Sequence, residues 1–376
     1  QQRILPNHEL WCQQAAEGQA NPEIEKTLRA EAKALGLWNM ALPRLTEDEP
    51  GLRLSNLEFT GVAEVLGRLE WASRVFNCHA PDVPNMELLQ LFATPEQKQR
   101  WLVPLLEGEI GSAFAMTEPE VASSDPVNLT TRIERDGDEF VINGRKWFAS
   151  NASHANCQLL VVVGVTDPDA AKSKRQSLVL VPRDTPGVEM LRNLPVFDHL
   201  SPTNTHPEFT LTNVRVPVEN VIGAENEGFK VIMTNFNSER MGMAAAMEAY
   251  GRVCLEEAVA WATERKTFGK RLADHQVIRH KIAQMKQQLN ATQAYIRMCY
   301  ESIEAGTPSP GDIALLKVQA SEVMEFCARE AMQILGGLGY MRGNRVERIY
   351  REVRVNAIGG GSEEIMRDLA TRQYGL

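Results

Sequence analysis

The hydrophobic period of this 376-residue chain changes twice, and that double switch limits the folds open to it. From Pro22 to about Ile110 apolar residues recur at helical spacing. The stretch "NPEIEKTLRAEAKALGLW" carries one such face, with Gly36 as its expected stop. In "ATPEQKQRWLVPLLEGE" Thr94 is placed to cap a helix and Pro95 suits the first helical position. Gln97 completes a capping box and Gly108 marks the end. From Gly111 to about Val221 the period becomes that of strands. "NLTTRIERDGDEFVINGRKWFAS" holds Asp136-Gly137 between two strand-like segments, a hairpin signal. "CQLLVVVGVT" and "QSLVLVP" are short β-branched runs, "TDPDAAKSKRQ" is an exposed loop, and "HPEFTLTNVRVPVENVIG" alternates like a half-buried strand. From Gly228 onward the helical period returns in four segments with short connections, which implies an antiparallel bundle. The expected architecture is α+β: an N-terminal all-α domain over residues 1–110, a middle β-barrel or sandwich domain over 111–222, and a C-terminal four-helix bundle over 223–376.

Composition excludes several functions. The net charge of −9 disfavours a duplex nucleic-acid binder, whose affinity rests on neutralising phosphates. Six scattered cysteines form no C-x-x-C pair, and the histidines show no metal-ligand spacing, so no metal is expected. The cysteines read as buried small hydrophobes, which fits a reducing compartment. No apolar run approaches the roughly 20 residues that cross a bilayer, and "QQRILPNHELW" shows no signal-peptide core. Neither a membrane nor a nucleic-acid partner is expected.

Four segments could carry chemistry. "AFAMTEPEVASSDP" is rich in small hydroxyl residues and can offer N–H and O–H donors to a polar ring or phosphate, or be a plain loop. "ERKTFGKRLADHQ" clusters Arg265, Lys266, Lys270 and Arg271 around Phe268. Arginine there suits a pyrophosphate, and the alternative is a solvated basic loop. "QILGGLGY" follows a helix, so it is not a dinucleotide fingerprint and reads as a glycine stop or a close backbone approach. In "TNFNSERMGMAAAM", Glu239 and Arg240 are the only charges between Lys230 and Glu248. Such a carboxylate is either exposed on a polar stripe or buried for use as a base.

Taken together the chain resembles the acyl-CoA dehydrogenase flavoproteins. "AMTEP…SSD", "INGRKWFASNA", "LTNVRVPVENVIG", "ERKTFGK…HQ", "QILGGLGY" and "GGGSEEIMR" occur in that family's order and spacing. The branch containing members ten and eleven, with its bacterial relatives, looks closest. The resemblance implies FAD between the β domain and the bundle. Phe114, Met116 and Thr117 then line one side of the flavin, and Phe148 and Ser150 lie against its ring. Ser124 reaches the pyrophosphate or the CoA moiety. Arg265, Phe268, Gln276, Gln333 and Gly337 hold the adenine dinucleotide part, and Ser362 and Glu364 lie on the ribityl or adenine side. Some of these contacts come from a neighbouring subunit in the family, which implies a homodimer or homotetramer. The expected partners are an acyl-CoA substrate and electron-transferring flavoprotein. The expected location is a bacterial cytoplasm, or a mitochondrial matrix or peroxisome in a eukaryote.

Two departures stand out. Typical members carry "TEPGAGSD", whereas this chain has the longer "TEPEVASSD", which loosens the assignment of Ser123 and Ser124. Phe148 stands where tryptophan is common. A third difference bears on catalysis. Many members place the catalytic glutamate directly before "GT" near the C-terminus, and here that position is Gly360. A minority carry the base on the first bundle helix, as a glutamate directly preceding an arginine. In "FNSER" that residue is Glu239, with Arg240 as the helper for substrate binding or helix anchoring. Glycine at one site and glutamate at the other together point to Glu239 as the base, with Gly360 beside the substrate. The implied reaction is α,β-dehydrogenation of an acyl-CoA thioester. The competing readings are an acyl-CoA or nitroalkane oxidase of the same fold and an alkylation-response flavoprotein that binds DNA. Members of the nitroalkane oxidase type carry aspartate at the Gly360 position, and the net charge opposes DNA binding.

Overall fold

The computed structural model describes residues 2–197 and 201–375, with the Asn235 side chain outside the description. Helices α1 (His8–Ala16), α2 (Glu23–Ala34), α3 (Asn56–Leu66), α4 (Ala72–Val75) and α5 (Asp82–Phe92) come first. Next comes a helical run made of α6 (Pro95–Gln97), a π-type turn at Lys98–Leu102 and α7 (Val103–Glu107). Thr94 caps this run as the sequence predicts. Its hydroxyl accepts from the Gln97 N–H, and the Gln97 side chain accepts from the Thr94 N–H. Gly108, at φ 71°, ends it.

Seven strands follow: β1 (Gly111–Ala115), β2 (Arg132–Asp136), β3 (Glu139–Trp147), β4 (Cys157–Val165), β5 (Gln176–Pro182), β6 (Val188–Asn193) and β7 (Pro207–Pro217). They form one mixed sheet in the order β1-β4-β2-β3-β7-β6, with β5 paired to β4. The expected hairpin at Asp136-Gly137 is present, with Asp136 paired to Glu139 across an antiparallel ladder. β1 runs parallel to β4, so the chain leaves β1 at the same end as it leaves β4. Ala113, Ile133, Phe140, Ile142, Leu160, Val162, Val179 and Phe209 fill the core of this sheet.

The remaining helices are α8 (Gly228–Glu264), α9 (Gln276–Glu304), α10 (Pro310–Leu335), α11 (Arg345–Ile358) and α12 (Glu363–Gln373). A two-residue hairpin, β8 (Lys266–Thr267) with β9 (Lys270–Arg271), lies between α8 and α9. The predicted four bundle helices are α8 to α11, and α12 adds a fifth element packed on α10 through Ala314, Val318, Met366 and Ala370.

By packing, the described chain divides into two compact units. One holds residues 1–54 and 73–235, and the other residues 55–72 and 236–376. The N-terminal helices and the strands therefore share a unit, and α3 belongs with the bundle. The side chains explain that placement. Arg68 bonds Glu256, Arg252 faces Glu64, and Arg348 faces Glu70. Gly67 lies so close to Ala249 that a Cβ on it would come within 2.4 Å.

Candidate active site

In the bundle unit, α8 carries Glu239 and Arg240 just before a run of apolar residues. Met241, Ala244, Ala245 and Met247 are buried there. Arg240 is itself buried, at 4% exposure, and its neighbours replace water poorly. Its Nε donates to the Gly360 carbonyl at 3.0 Å and Nη1 reaches Asn237 Oδ1 at 3.4 Å. The guanidinium also lies 5.5 Å from the Phe236 ring centre. Glu239 is half-exposed, yet the protein around it pushes its carboxyl above the usual carboxylate range. The Arg240 guanidinium opposes that shift without cancelling it. Arg240, the residue after Glu239, is thus hydrogen-bonded to Gly360 although 120 residues separate the two in sequence.

Gly360 sits in the loop between α11 and α12 at φ 68°, a conformation that disfavours any side chain. A Cβ there would lie 2.8 Å from the Met243 sulfur. Met243, one turn beyond Glu239, therefore covers the space a carboxylate at position 360 would enter. Met241 and Met247 are buried in the bundle core. Met243 is partly buried against that core and also faces Gly360.

The two glutamates after the glycines have separate uses. Glu363 accepts from the Ser321 hydroxyl of α10 at 2.6 Å. Glu364 stands exposed at the start of α12. The N–H groups at that helix start, then the Ser362 hydroxyl, hold its carboxyl below the usual range. Ser362 caps α12 by accepting from the Ile365 N–H.

In the first unit, Phe114, Met116 and Thr117 leave the end of β1, and Phe148 and Ser150 follow β3. The Trp147 N–H donates to the Thr117 carbonyl at 3.1 Å, so the two segments adjoin. Both are anchored by a buried ion pair that sequence reasoning missed. Lys146 and Glu118 are fully buried and 2.8 Å apart. The Lys146 ammonium also donates to the carbonyls of Met116 and Val163, at 2.8 and 2.7 Å. Glu118 accepts from the N–H and hydroxyl of Thr130 and from the Thr131 N–H. Burial pushes the Glu118 carboxyl up, but the Lys146 charge and these donors outweigh it and bring it to about 2. Phe148 then stands half-exposed at φ 52°, its ring 4.9 Å from that of Trp147. Ser150 Oγ lies 3.1 Å from Nδ1 of His206, whose pKa burial lowers. This leaves an aromatic side chain held outward in a left-handed backbone, near the Ser150 hydroxyl. Ser124 lies exposed in the turn-rich segment that follows.

The bundle unit carries a depression beside the glycines that end α10. This open depression of about 410 Å³ is lined by Arg329, Met332, Gln333, Gly336, Gly337 and Tyr340, among others. A Cβ on Gly336 or Gly337 would meet nothing within 4 Å. "QILGGLGY" does stop a helix, as read, with Gly336 at φ 62°. Gln333 and Gly337 thus share a surface, whereas Arg265, Phe268 and Gln276 do not line it. They sit at the β8–β9 hairpin and the start of α9, with Phe268 97% exposed. A second cavity, about 270 Å³ in the first unit, lies among Glu25, Arg29, Arg74, His79, Asp82 and His154, and none of the assigned residues lines it.

Among the described residues no group of three or more His, Cys, Asp or Glu could hold a metal, and no helix is long and apolar enough to cross a membrane.

Comparison with known proteins identifies the family. Family models for the N-terminal, middle and C-terminal domains of acyl-CoA dehydrogenase match residues 3–109, 113–207 and 226–375. The chain belongs to the acyl-CoA dehydrogenase family. Acyl-CoA dehydrogenase family member 11 of Gallus gallus is 36% identical over 348 residues, covering 92% of this chain and 44% of that protein. The chain spans less than half the length of that relative and of its rat and mouse counterparts. The Mycobacterium tuberculosis protein named "Probable acyl-CoA dehydrogenase FadE2" is 38% identical over 353 residues, 93% of this chain and 85% of that one. The crystal structure of acyl-CoA dehydrogenase from Geobacillus kaustophilus superposes with a TM-score of 0.86 at 28% identity, covering 100% of this chain and 94% of that one.

Proposed function

We propose that this chain is an FAD-dependent dehydrogenase of acyl-CoA thioesters, with Glu239 as the base that removes the α-proton. One observation carries the reading. Arg240, the residue after Glu239, bonds the carbonyl of Gly360, the position where many relatives keep their base, and Met243 covers the glycine. The residues one and four positions after Glu239 therefore both touch the place where a family carboxylate is missing, which supports Glu239 as its replacement.

The chemistry asks three things of the protein. The α-proton of a thioester is a weak acid, so the base must be desolvated, which the surroundings of Glu239 supply. The negative charge that develops at the thioester carbonyl needs fixed donors, which the loop at Gly360 supplies from its backbone. The β-hydrogen must leave with its electron pair as the α-proton departs, and flavin, when bound, accepts that hydride. Phe114, Met116, Thr117, Phe148 and Ser150 of the first unit are assigned to its ring. Arg265, Phe268, Gln276, Gln333, Gly337, Ser362 and Glu364 of the second are assigned to its ribityl and adenine portions, with some supplied by a second copy in a homodimer or homotetramer. Ser124 is assigned to the pyrophosphate or CoA. The electrons leave to electron-transferring flavoprotein.

The test is anaerobic mixing of the purified flavoprotein with a panel of short, branched and long acyl-CoA thioesters. At least one bleaches the flavin if the reading is right. A holoprotein that no thioester reduces contradicts it. Rapid reoxidation in air would favour an oxidase of the same fold.

A further inference from the structure

Lys317 lies on α10 in the run "IALLKVQASEV", and it is fully buried. Its ammonium donates to the Gly361 carbonyl at 2.8 Å and to the Ala357 carbonyl at 3.1 Å. Among the described residues no carboxylate forms an ion pair with it. Burying an unpaired ammonium costs several kcal/mol, so its partners must matter. Burial pushes its pKa down to about 8, with Glu363 opposing that shift and Arg240 adding to it.

Both carbonyls belong to the segment that ends α11 and leads to α12. Ala357 lies in the last turn of α11, where carbonyls lack helical donors and the helix dipole favours a cation. Gly360 and Gly361 both adopt positive φ, 68° and 104°. Two such glycines have little intrinsic preference for one conformation, so the loop needs anchors from outside. It has two buried cations: Arg240 on the Gly360 carbonyl, and Lys317 on those of Gly361 and Ala357. In a trans peptide the N–H points opposite the C=O. Holding the Gly360 and Gly361 carbonyls therefore turns the N–H groups of the same peptides, those of Gly361 and Ser362, to the opposite side. Among the described residues no backbone carbonyl accepts the N–H of Gly360, Gly361 or Ser362.

We propose that Lys317 is a positioning residue. By clamping the Gly361 and Ala357 carbonyls, it works with Arg240 to fix the Gly361 and Ser362 N–H donors for the oxyanion that develops on the thioester. The inference rests on the dehydrogenase reading of this site.

The experiment uses the flavin-loaded protein and the variants Lys317→Met and Lys317→Arg. Acetoacetyl-CoA, whose α-carbon ionises to an enolate, is titrated with pH on each, and its bound enolate pKa is read from ultraviolet absorbance. Lys317→Met is expected to raise that pKa by about one unit, a tenfold loss of enolate stabilisation. It should change the dissociation constant of a saturated thioester by less than about twofold, since a ground-state carbonyl depends less on the donors than an oxyanion does. Lys317→Arg, which keeps donors, should recover most of the effect. Hydrogen exchange across residues 353–366 is measured in parallel, and exchange should quicken in Lys317→Met. Faster exchange with an unchanged enolate pKa would reduce Lys317 to a structural cation and overturn the proposal, as would no change in either. If no thioester reduces the wild type, the dehydrogenase reading fails on its own, and the exchange result still decides whether the clamp exists. Should Lys317→Met fail to fold, Lys317→Gln carries the same two measurements.

Discussion

Replacing Lys146 by methionine removes a buried ammonium while nearly preserving side-chain volume. Three partners lose their donor: the Glu118 carboxylate and the carbonyls of Met116 and Val163. Glu118 keeps only Thr130 and Thr131 as donors and remains buried. Removing one member of a buried pair typically costs about 3–5 kcal/mol, because the other charge stays uncompensated. Since about 1.4 kcal/mol is a factor of ten, protection of neighbouring amides should fall by roughly 10²- to 10⁴-fold. The assay is native-state hydrogen exchange followed on peptides covering β1, β3 and β4, which reads this unit without assuming that the whole chain unfolds at once. The Lys146→Met/Glu118→Leu double variant should recover part of the loss, because an apolar replacement of the whole pair leaves no lone charge. A single variant that loses less than about fivefold in protection, or a double variant worse than the sum of both singles, would refute this account of how the Met116–Thr117 segment is held.

Other consequences are equally direct. Glu118 has its pKa lowered from 4.5 to about 2, so its stabilisation is complete above pH 4.5 and is lost as pH falls toward 2. Glu118→Gln should flatten that acid limb when unfolding is followed by near-ultraviolet circular dichroism. Glu239 has a raised carboxyl pKa, which reverses the sign: the folded state binds the proton more tightly, and stability declines as pH rises from 4.5 through the folded value. Glu239→Gln should therefore gain stability relative to wild type on going from pH 4 to pH 7, measured by urea midpoints at the two pH values. Gly360→Ala should cost about 1–2 kcal/mol from its positive φ alone, and the contact with Met243 adds to this. Met243→Ala in the same chain should relieve the added part, leaving the backbone strain, as thermal shifts would show.

Much of this was legible in the residues. Thr94, Pro95 and Gln97 announce their capping box because the cap is a local device of four positions. The Asp136-Gly137 hairpin is legible for the same reason. Glu239 is singled out only by a paired difference with relatives, because a lone carboxylate in an apolar stretch fits either an exposed stripe or a buried base. The same isolation marks Lys317, the only charge between Asp312 and Glu322, but the sequence does not reveal that its partners are backbone carbonyls some forty residues away. Lys146 shares a strand face with Phe140 and Ile142, so alternation alone puts it inside the sheet. Its partner Glu118 lies on a loop after another strand, and such pairings depend on sheet order. The grouping of α3 with the bundle is also illegible locally. It depends on Arg252, Arg345 and Arg348, far along the chain.

The central claim is that Glu239 removes the α-proton. It is tested by anaerobic stopped-flow mixing of wild type and Glu239→Gln with whichever thioester bleaches the wild-type flavin fastest. The amide should bind that thioester with a similar dissociation constant and slow bleaching by at least about 10²-fold, the size expected for losing a general base. Bleaching of Glu239→Gln at the wild-type rate would contradict the assignment.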